Sequence, residues 1–324
     1  VGTDINSNLL TLFNGYLKYT DILKMGTGGA SNNFGYNLNS FNLSGTSSEF
    51  LTNAPRIQYA NIDDYGTVAF LTPNDNLSYI KLTYIDSNGS TLGSEQIDRT
   101  STNGAFDFWS AITQIQILYF GCFPANLMRD GSSIFAGLVT AGTIQGGSIE
   151  VRAFDVSDNR ISTLYTINLN CPNTKGYESI RLCWLNQWGV WDYYTFTKKS
   201  SKTLSTKGST YTQLQGTWND SVYRVDSFKG GRKAFRVNST EKIKMNTDFV
   251  AENDNVMFEE LMNSPEVYLL DGYQTDVSNS MLNKYVTPVR VMSKSFTTKT
   301  IANDRLLQYT FEIEKTKTLR TQSV

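Results

Sequence analysis

Residues 179–196 read SIRLCWLNQWGVWDYYTF, and the fold class turns on them. Ile180, Leu182 and Trp184 alternate with Arg181 and Cys183. Asn186-Gln187-Trp188-Gly189 then supplies turn residues, and alternation resumes from Val190 to Phe196, which is the pattern of a β-hairpin. In the second strand Trp191, Tyr193 and Thr195 point one way and Asp192, Tyr194 and Phe196 the other, so both faces require cover. One cover is the core; a neighbouring subunit is the expected second. The competing reading is an exposed platform, in which Trp184, Trp188 and Trp191 stack on sugars or bases.

Outward from this hairpin the composition points the same way. Aromatic residues make up 13% of the 324 and charged residues only 18%, which favours strands and turns over long surface helices. The length exceeds what one core usually serves. The expected fold is therefore mainly β: a β-sandwich domain over residues 1–170 and a second β-rich α+β module with one short helix over residues 171–324. In the first half, KMGTGGASNNFGYNLNSFNLSGTSS (residues 24–48) has no stable period and reads as a long loop or arm, spanning Met25 to Phe50. IKLTYID from Ile80 aligns with IEVRAFD from Ile149, and each is followed by a polar turn, so these are two comparable hairpins of one sandwich. Between them FDFWSAITQIQILYFGCFPANLM is apolar, with helix and strand equally defensible.

In the second half, TKKSSKTLSTKGSTYTQLQGTWND carries Lys198, Lys199, Lys202 and Lys207 and cannot fill a core. It reads as a mobile loop or a projecting hairpin arm, with a further polar turn around Gly230 and Gly231. NDNVMFEELMNSPEVYLLDG reads as a helix capped by Asp254 or Asn255, ended by Pro265 and followed by a strand. Leu307, Tyr309, Phe311 and Ile313 alternate with polar partners, a half-buried strand that pairs with TPVRVMSKSFTTKT through a turn at Ala302-Asn303-Asp304. KTKTLRTQSV follows as a basic polar tail.

The chain has no histidine, which removes nucleophilic catalysis by Ser-His or Cys-His pairs. Cys122, Cys171 and Cys183 are too sparse for a zinc site and read as small buried hydrophobes, although Cys171 and Cys183 could pair. The glycines Gly26, Gly28 and Gly29 lack the Lys-Ser/Thr that would make a phosphate cradle. Glycoside hydrolysis needs only two carboxylates, so Asp63 with Asp64, Asp192, or Glu259 with Glu260 are its candidates. The bland alternatives are a turn for the first pair and the exposed side of a short helix for the last. DSNGS at Asp86 has calcium-loop composition but suits a turn equally. No catalytic residue, metal or cofactor is expected. Net charge is −1, so there is no global field for nucleic acid. Contact with DNA would be local, through Lys198 to Lys207, Lys229 to Arg236 and the tail. No apolar run suggests membrane insertion.

The hairpin RLCWLNQWGVWDYYTF resembles one that recurs in virion proteins of tailed phages, notably those infecting Bacteroidota, including crAss-like phages. FEELMNSPEVYLLDG and YVTPVRVMSKSFTTKTIANDRLLQYTFEIE are similar to the C-terminal module of the same proteins. The resemblance covers about residues 171–315 and carries no catalytic signature. It implies a non-enzymatic structural subunit of the neck or tail, present in the virion and assembled in the host bacterial cytoplasm. Its implied partners are copies of itself in a ring, other neck or tail proteins and, locally, packaged DNA. The alternative it leaves is a host-surface carbohydrate-binding baseplate or tail-tip protein. The segments expected to cross to neighbours are Met25 to Phe50, Lys198 to Gln213 and the tail after Lys315.

Overall fold

A computed structural model describes residues 40–72, 76–98, 116–129, 133–170, 176–216, 221–225, 228–270, 286–295, 297, 307–316 and 319–320. The protein is mainly β. In the first half β1 (Ile57–Ala60), β2 (Thr67–Thr72), β3 (Tyr79–Ile85), β4 (Thr91–Asp98) and β5 (Gln116–Gly121) are followed by helices α1 (Pro124–Arg129) and α2 (Ile134–Thr140), then β6 (Ser148–Phe154) and β7 (Tyr165–Leu169). The second half holds β8 (Ile180–Leu185), β9 (Trp191–Phe196), β10 (Ser201–Gln213), β11 (Gly231–Asn246), α3 (Asn255–Asn263), β12 (Val267–Leu270), β13 (Val286–Val291), β14 (Thr310–Lys315) and β15 (Leu319–Arg320). Five strands form one sheet in the order β1-β7-β6-β3-β4, with β1 parallel to β7. Eight form another along β10-β11-β14-β13-β12-β8-β9, with β15 on β11, and β2-β5 is a separate pair.

β2 explains how the halves join. Its sequence TVAFLT is an apolar run without alternation, as expected of a strand covered on both faces. Val68 and Phe70 enter the first core with Phe50, Ile80, Leu82 and Phe120. Ala69 and Leu71 meet Phe41, Leu51, Trp188 and Val190 in a smaller core on the opposite side. The β2-β5 pair thus lies between the five-stranded sheet and the β8-β9 hairpin. The second cover of that hairpin is this chain's own first half, not a neighbouring subunit. Residues 41–50, expected to reach outward, are also folded inward: Phe41, Leu43 and Phe50 are buried. The first half is a five-stranded sheet faced by a two-stranded pair and two short helices; the described part of the apolar stretch left open between helix and strand supplies both β5 and α1, whereas α2 has no counterpart in the sequence reading.

The second core lies beneath the eight-stranded sheet. Ile180, Leu182, Trp184 and Phe196 from the hairpin meet Met257, Phe258 and Leu261 of α3 and Phe311 and Ile313 of β14. Phe258 is its hub, with ring centroids 5.1 Å from Tyr194, 5.4 Å from Phe311 and 5.7 Å from Tyr309. The expected alternation of Leu307, Tyr309, Phe311 and Ile313 is observed, with all four buried. β14 pairs with β13 as expected and with β11 as well. The connecting turn at 302–304 lies outside the described residues, as do Gly26, Gly28, Gly29 and Cys171. Part of the tail is not free, since β15 pairs with Asn238 and Ser239.

One local device recurs three times. After β3, β6 and β8, an Asx residue (Asp86, Asp155, Asn186) accepts with its side-chain oxygen from the backbone N–H two and four residues on. The fourth residue of each turn has positive φ: 87° at Gly89, 62° at Asp158 and 73° at Gly189. Glycine adopts this region without strain, and Asp tolerates it better than most residues. The strands before the turns share an Ile-x-Leu/Val core: IKLTYID, IEVRAFD and IRLCWLN. The third copy differs in burial, because the Asn186 amide also donates to the Leu51 carbonyl at 3.0 Å and to Asp192 Oδ2 at 3.1 Å. Asp86→Ala and Asp155→Ala, at exposed turns, are expected to lower stability only slightly. Asn186→Ala is expected to cost about 3 kcal/mol, because it also orphans buried partners. Urea unfolding of the three variants measures the contrast.

Candidate interaction site: a bare ribbon and the cleft at its root

Thr203, Thr206, Thr210 and Thr212 give β10 strong strand preference without an apolar face. The result is a two-stranded ribbon, paired with β11 from Ser201↔Lys244 to Gln213↔Gly231, with a register shift between Ser209 and Thr210. Twelve of the thirteen residues of β10 are exposed. This matches the projecting-arm expectation. Among the described residues β14 and β15 support β11 at 242–246 and 238–239, and beyond Asn238 the described ribbon is two strands wide. At about 3.3 Å per residue, Gln213 stands about 40 Å from Ser201.

The tip is organised around Gly216, which bridges Val225 and lies under the Tyr223 ring; a Cβ there would sit 2.3 Å from that ring. Gly230 and Gly231 turn the chain back with φ of 90° and 78°. Eight of the seventeen exposed large apolar side chains among the described residues lie between 204 and 235, including Tyr211, Leu214, Val222, Tyr223, Phe228 and Phe235. Residues 201–238 also carry seven basic and two acidic side chains, a net +5. Taking 7 from the 29 basic and 2 from the 30 acidic residues leaves −6 for the remainder of the chain.

The lysines singled out from sequence do not form one patch. Lys198 pairs with Asp248 at 2.9 Å and Lys202 with Glu178 at 2.6 Å, while Lys199 and Lys207 are exposed. Lys202 and Lys207 are five residues apart on a strand and so face opposite ways. Trp184 and Trp188 are 0% and 2% exposed, so neither indole can present a face to a sugar or base. Trp191 is half-buried, edge-on to Tyr268. The aromatic platform expected as an alternative is therefore not assembled by these tryptophans; Trp184 and Trp188 are core rings.

At the ribbon's root lies a cleft of about 610 Å³. Ile57, Gln58 and Tyr59 of the edge strand β1 form one wall, Tyr193, Tyr194, Thr195 and Thr197 another, and Asp248, Phe249, Ala251 and Asp254 a third. Ile57, Tyr59 and Phe249 are each more than half exposed. Asp248 Oδ1 accepts from Phe249 N–H at 2.7 Å, and Asp254 Oδ2 from Ala251 N–H at 2.9 Å. Burial raises the Asp254 carboxyl above its ordinary range. Sequence reasoning missed this cleft because its walls come from separated segments with no shared motif.

Of the candidate acids Asp63 is exposed at a turn, and the others are held within the structure. Asp64 accepts from Thr195 Oγ1 at 2.7 Å and pairs with buried Arg181 at 3.4 Å. Glu260, expected on an exposed helix side, is 1% exposed and accepts from Asn53 Nδ2 at 2.7 Å; Glu259 is half-buried. Asp192 is buried, accepting from Thr52 Oγ1 at 2.5 Å and from Asn186. Asp86 spends its carboxylate on its own turn. Among the described residues no group of three or more His, Cys, Asp or Glu could hold a metal. Cys122 and Cys183 are free, buried thiols, pushed up to about 12 by desolvation. Among the described residues no helix is long and apolar enough to cross a membrane. No protein-family model matches the chain, and neither a curated protein nor a solved structure matches it significantly.

Desolvation pushes the Asp192 carboxyl up to about 6, against donation from Thr52 and Asn186. A folded-state pKa above the unfolded one means that the native state binds the proton more tightly. Stability from this group is thus greatest below about pH 4 and falls as pH rises to about 6, by on the order of 3 kcal/mol. Asp192→Asn is expected to remove that fall. The unfolding free energy of the variant minus that of the native protein should therefore rise between about pH 4 and pH 6, and urea unfolding across this window measures it.

Proposed function

We propose that the chain is a non-enzymatic structural subunit of a phage neck or tail, assembling as a multi-copy ring through its β-rich surfaces and the β10-β11 ribbon. Within the virion its neighbours are other copies and other neck or tail proteins. One observation carries the assembly reading: a ribbon about 40 Å long is exposed on both faces, rimmed with apolar rings and, among the described residues, two strands wide beyond Asn238. A two-stranded hairpin alone is marginal in water, and a dense apolar patch on a soluble surface marks an interaction site. A partner that covers the tip supplies the missing layer. The resemblance of residues 171–315 to phage virion proteins supports the same reading and adds its setting.

The ribbon can be removed without touching either core. Thr206 and Ser239 are register partners, so replacing residues 207–238 with Asn-Gly joins them through a two-residue hairpin turn. The shortened chain is expected to keep the thermal unfolding of the native protein and to sediment as a monomer at concentrations where the native protein forms larger species. Equal sedimentation of the two proteins as assemblies would remove the ribbon from the assembly mechanism.

A further inference from the structure

We infer that the tip of the ribbon seats in the root cleft of a second copy of this chain, so that successive subunits join tip to root. This rests on the assembly reading above and names the acceptor surface that reading leaves open.

Complementarity is the first ground. The tip offers Val222, Tyr223 and Phe228, with Lys229 and Lys233 against Phe228, whereas the cleft offers Ile57, Tyr59 and Phe249 beside Asp248 and Asp254. Among the described residues none that lines the cleft is basic, although Lys198 pairs with Asp248 of its third wall. The chain from 247 to 266, which forms its third wall and α3, has six acidic residues and no basic one. Lys198 offsets Asp248 and Glu260 is buried, so a segment of net +5 meets a wall that is acidic through Glu252, Asp254 and Glu259, and apolar rings stand exposed on both. Complementary fields speed encounter and fix register, while buried rings supply most of the affinity. The cleft falls within the roughly 300–1,000 Å³ that holds a largely buried ligand.

Geometry excludes the intramolecular version. Thr197 and Asp248 line the cleft, within a few residues of Ser201 and Asn246, where the ribbon leaves the body. The tip is therefore about 40 Å from its own cleft along paired strands. Donor and acceptor occupy opposite ends of one element, so a contact between copies is heterologous: it leaves a free tip and a free cleft, and it closes into a ring when the rotation permits.

Two double variants test this by sedimentation. Tyr59→Lys/Phe249→Lys disables the cleft, and Phe228→Asp/Phe235→Asp disables the ribbon; all four side chains are more than half exposed, so the fold should persist. Each variant alone is expected to associate at least tenfold more weakly than the native chain. Mixed in equal amounts they are expected to form a one-to-one dimer and nothing larger, because only one intact tip and one intact cleft remain. That dimer also shows both variants to be folded. If the cleft variant assembles like the native chain while the ribbon variant does not, the inference fails and the assembly reading stands. If both assemble like the native chain, the ribbon has no role and both fall. Two further outcomes overturn the inference: a monomeric native chain whose ribbon variant alone loses retention of double-stranded DNA, or one whose cleft variant alone loses binding on a glycan array.

Discussion

Arg181 ties the two halves together, and the position of everything beyond it follows. Its guanidinium lies between the Phe123 and Tyr193 rings, 4.8 Å and 5.1 Å from their centroids. Its Nε donates to the Tyr65 carbonyl at 2.9 Å, and Nη1 donates to Thr195 Oγ1 at 2.7 Å while pairing with Asp64. With Arg181 at 4% exposure and Asp64 at 6%, the pair gains little net stability over a well-packed apolar substitute. Breaking it by removing one partner nevertheless strands a buried charge, at a cost of about 3–5 kcal/mol. Its contribution is to register: Asp64, Tyr65 and Thr67 from the first half can meet the hairpin in only one alignment. The second polar cluster, Asp192 with Thr52 and Asn186, holds the chain around residues 51–53 to the same hairpin. Two segments from one half thus grip β8-β9.

That grip has mechanical consequences. β8-β9 ends the eight-stranded sheet, and the same sheet carries β11 into the ribbon through β14. The ribbon is therefore a continuation of a hydrogen-bonded sheet rooted by Ile243 and Met245, at 1% and 0% exposure, and not a loop tethered at two points. Force or displacement at the tip passes through paired strands to the core around Phe258. A projecting element of this build loses less conformational entropy on docking than a disordered arm, for which ordering would cost about 1–2 kcal/mol per residue.

Where the burial pattern is local, the sequence disclosed it. The hairpin at 180–196, the strand ending at Ile313, the helix before Pro265 and the ribbon all follow from period or from its absence over ten residues. What stayed hidden depends on contacts between distant segments. Helices α1 and α2 are six and seven residues long, too short for a helical period to declare itself, and Ser133 capping the Ala136 N–H is the only local sign of the second. The inward fate of residues 41–50 rests on Trp188 and Leu71 beyond them. Glu260 looked exposed because a carboxylate on a short helix usually is, and only Asn53, 207 positions away, gives it a partner. The cleft was illegible for the same reason: Tyr59, Tyr194 and Phe249 share no motif and meet only when β1 is brought beside β9.

Edge strands raise the question of why a long ribbon does not simply add strands from any neighbour. β10 is an open edge of the larger sheet, and such edges template aggregation unless guarded. Its composition supplies the guard, with Lys202 and Lys207 projecting to opposite faces, a register shift between Ser209 and Thr210, and no run of adjacent apolar residues. Against a strand from another copy these features give like-charge repulsion and a broken hydrogen-bond ladder. The apolar rings are concentrated instead at the tip, around Tyr223 and Phe228, where the chain turns and no continuous ladder is on offer. Association is thereby steered away from the edge and toward side-chain insertion at one end, which permits one contact of defined geometry per ribbon.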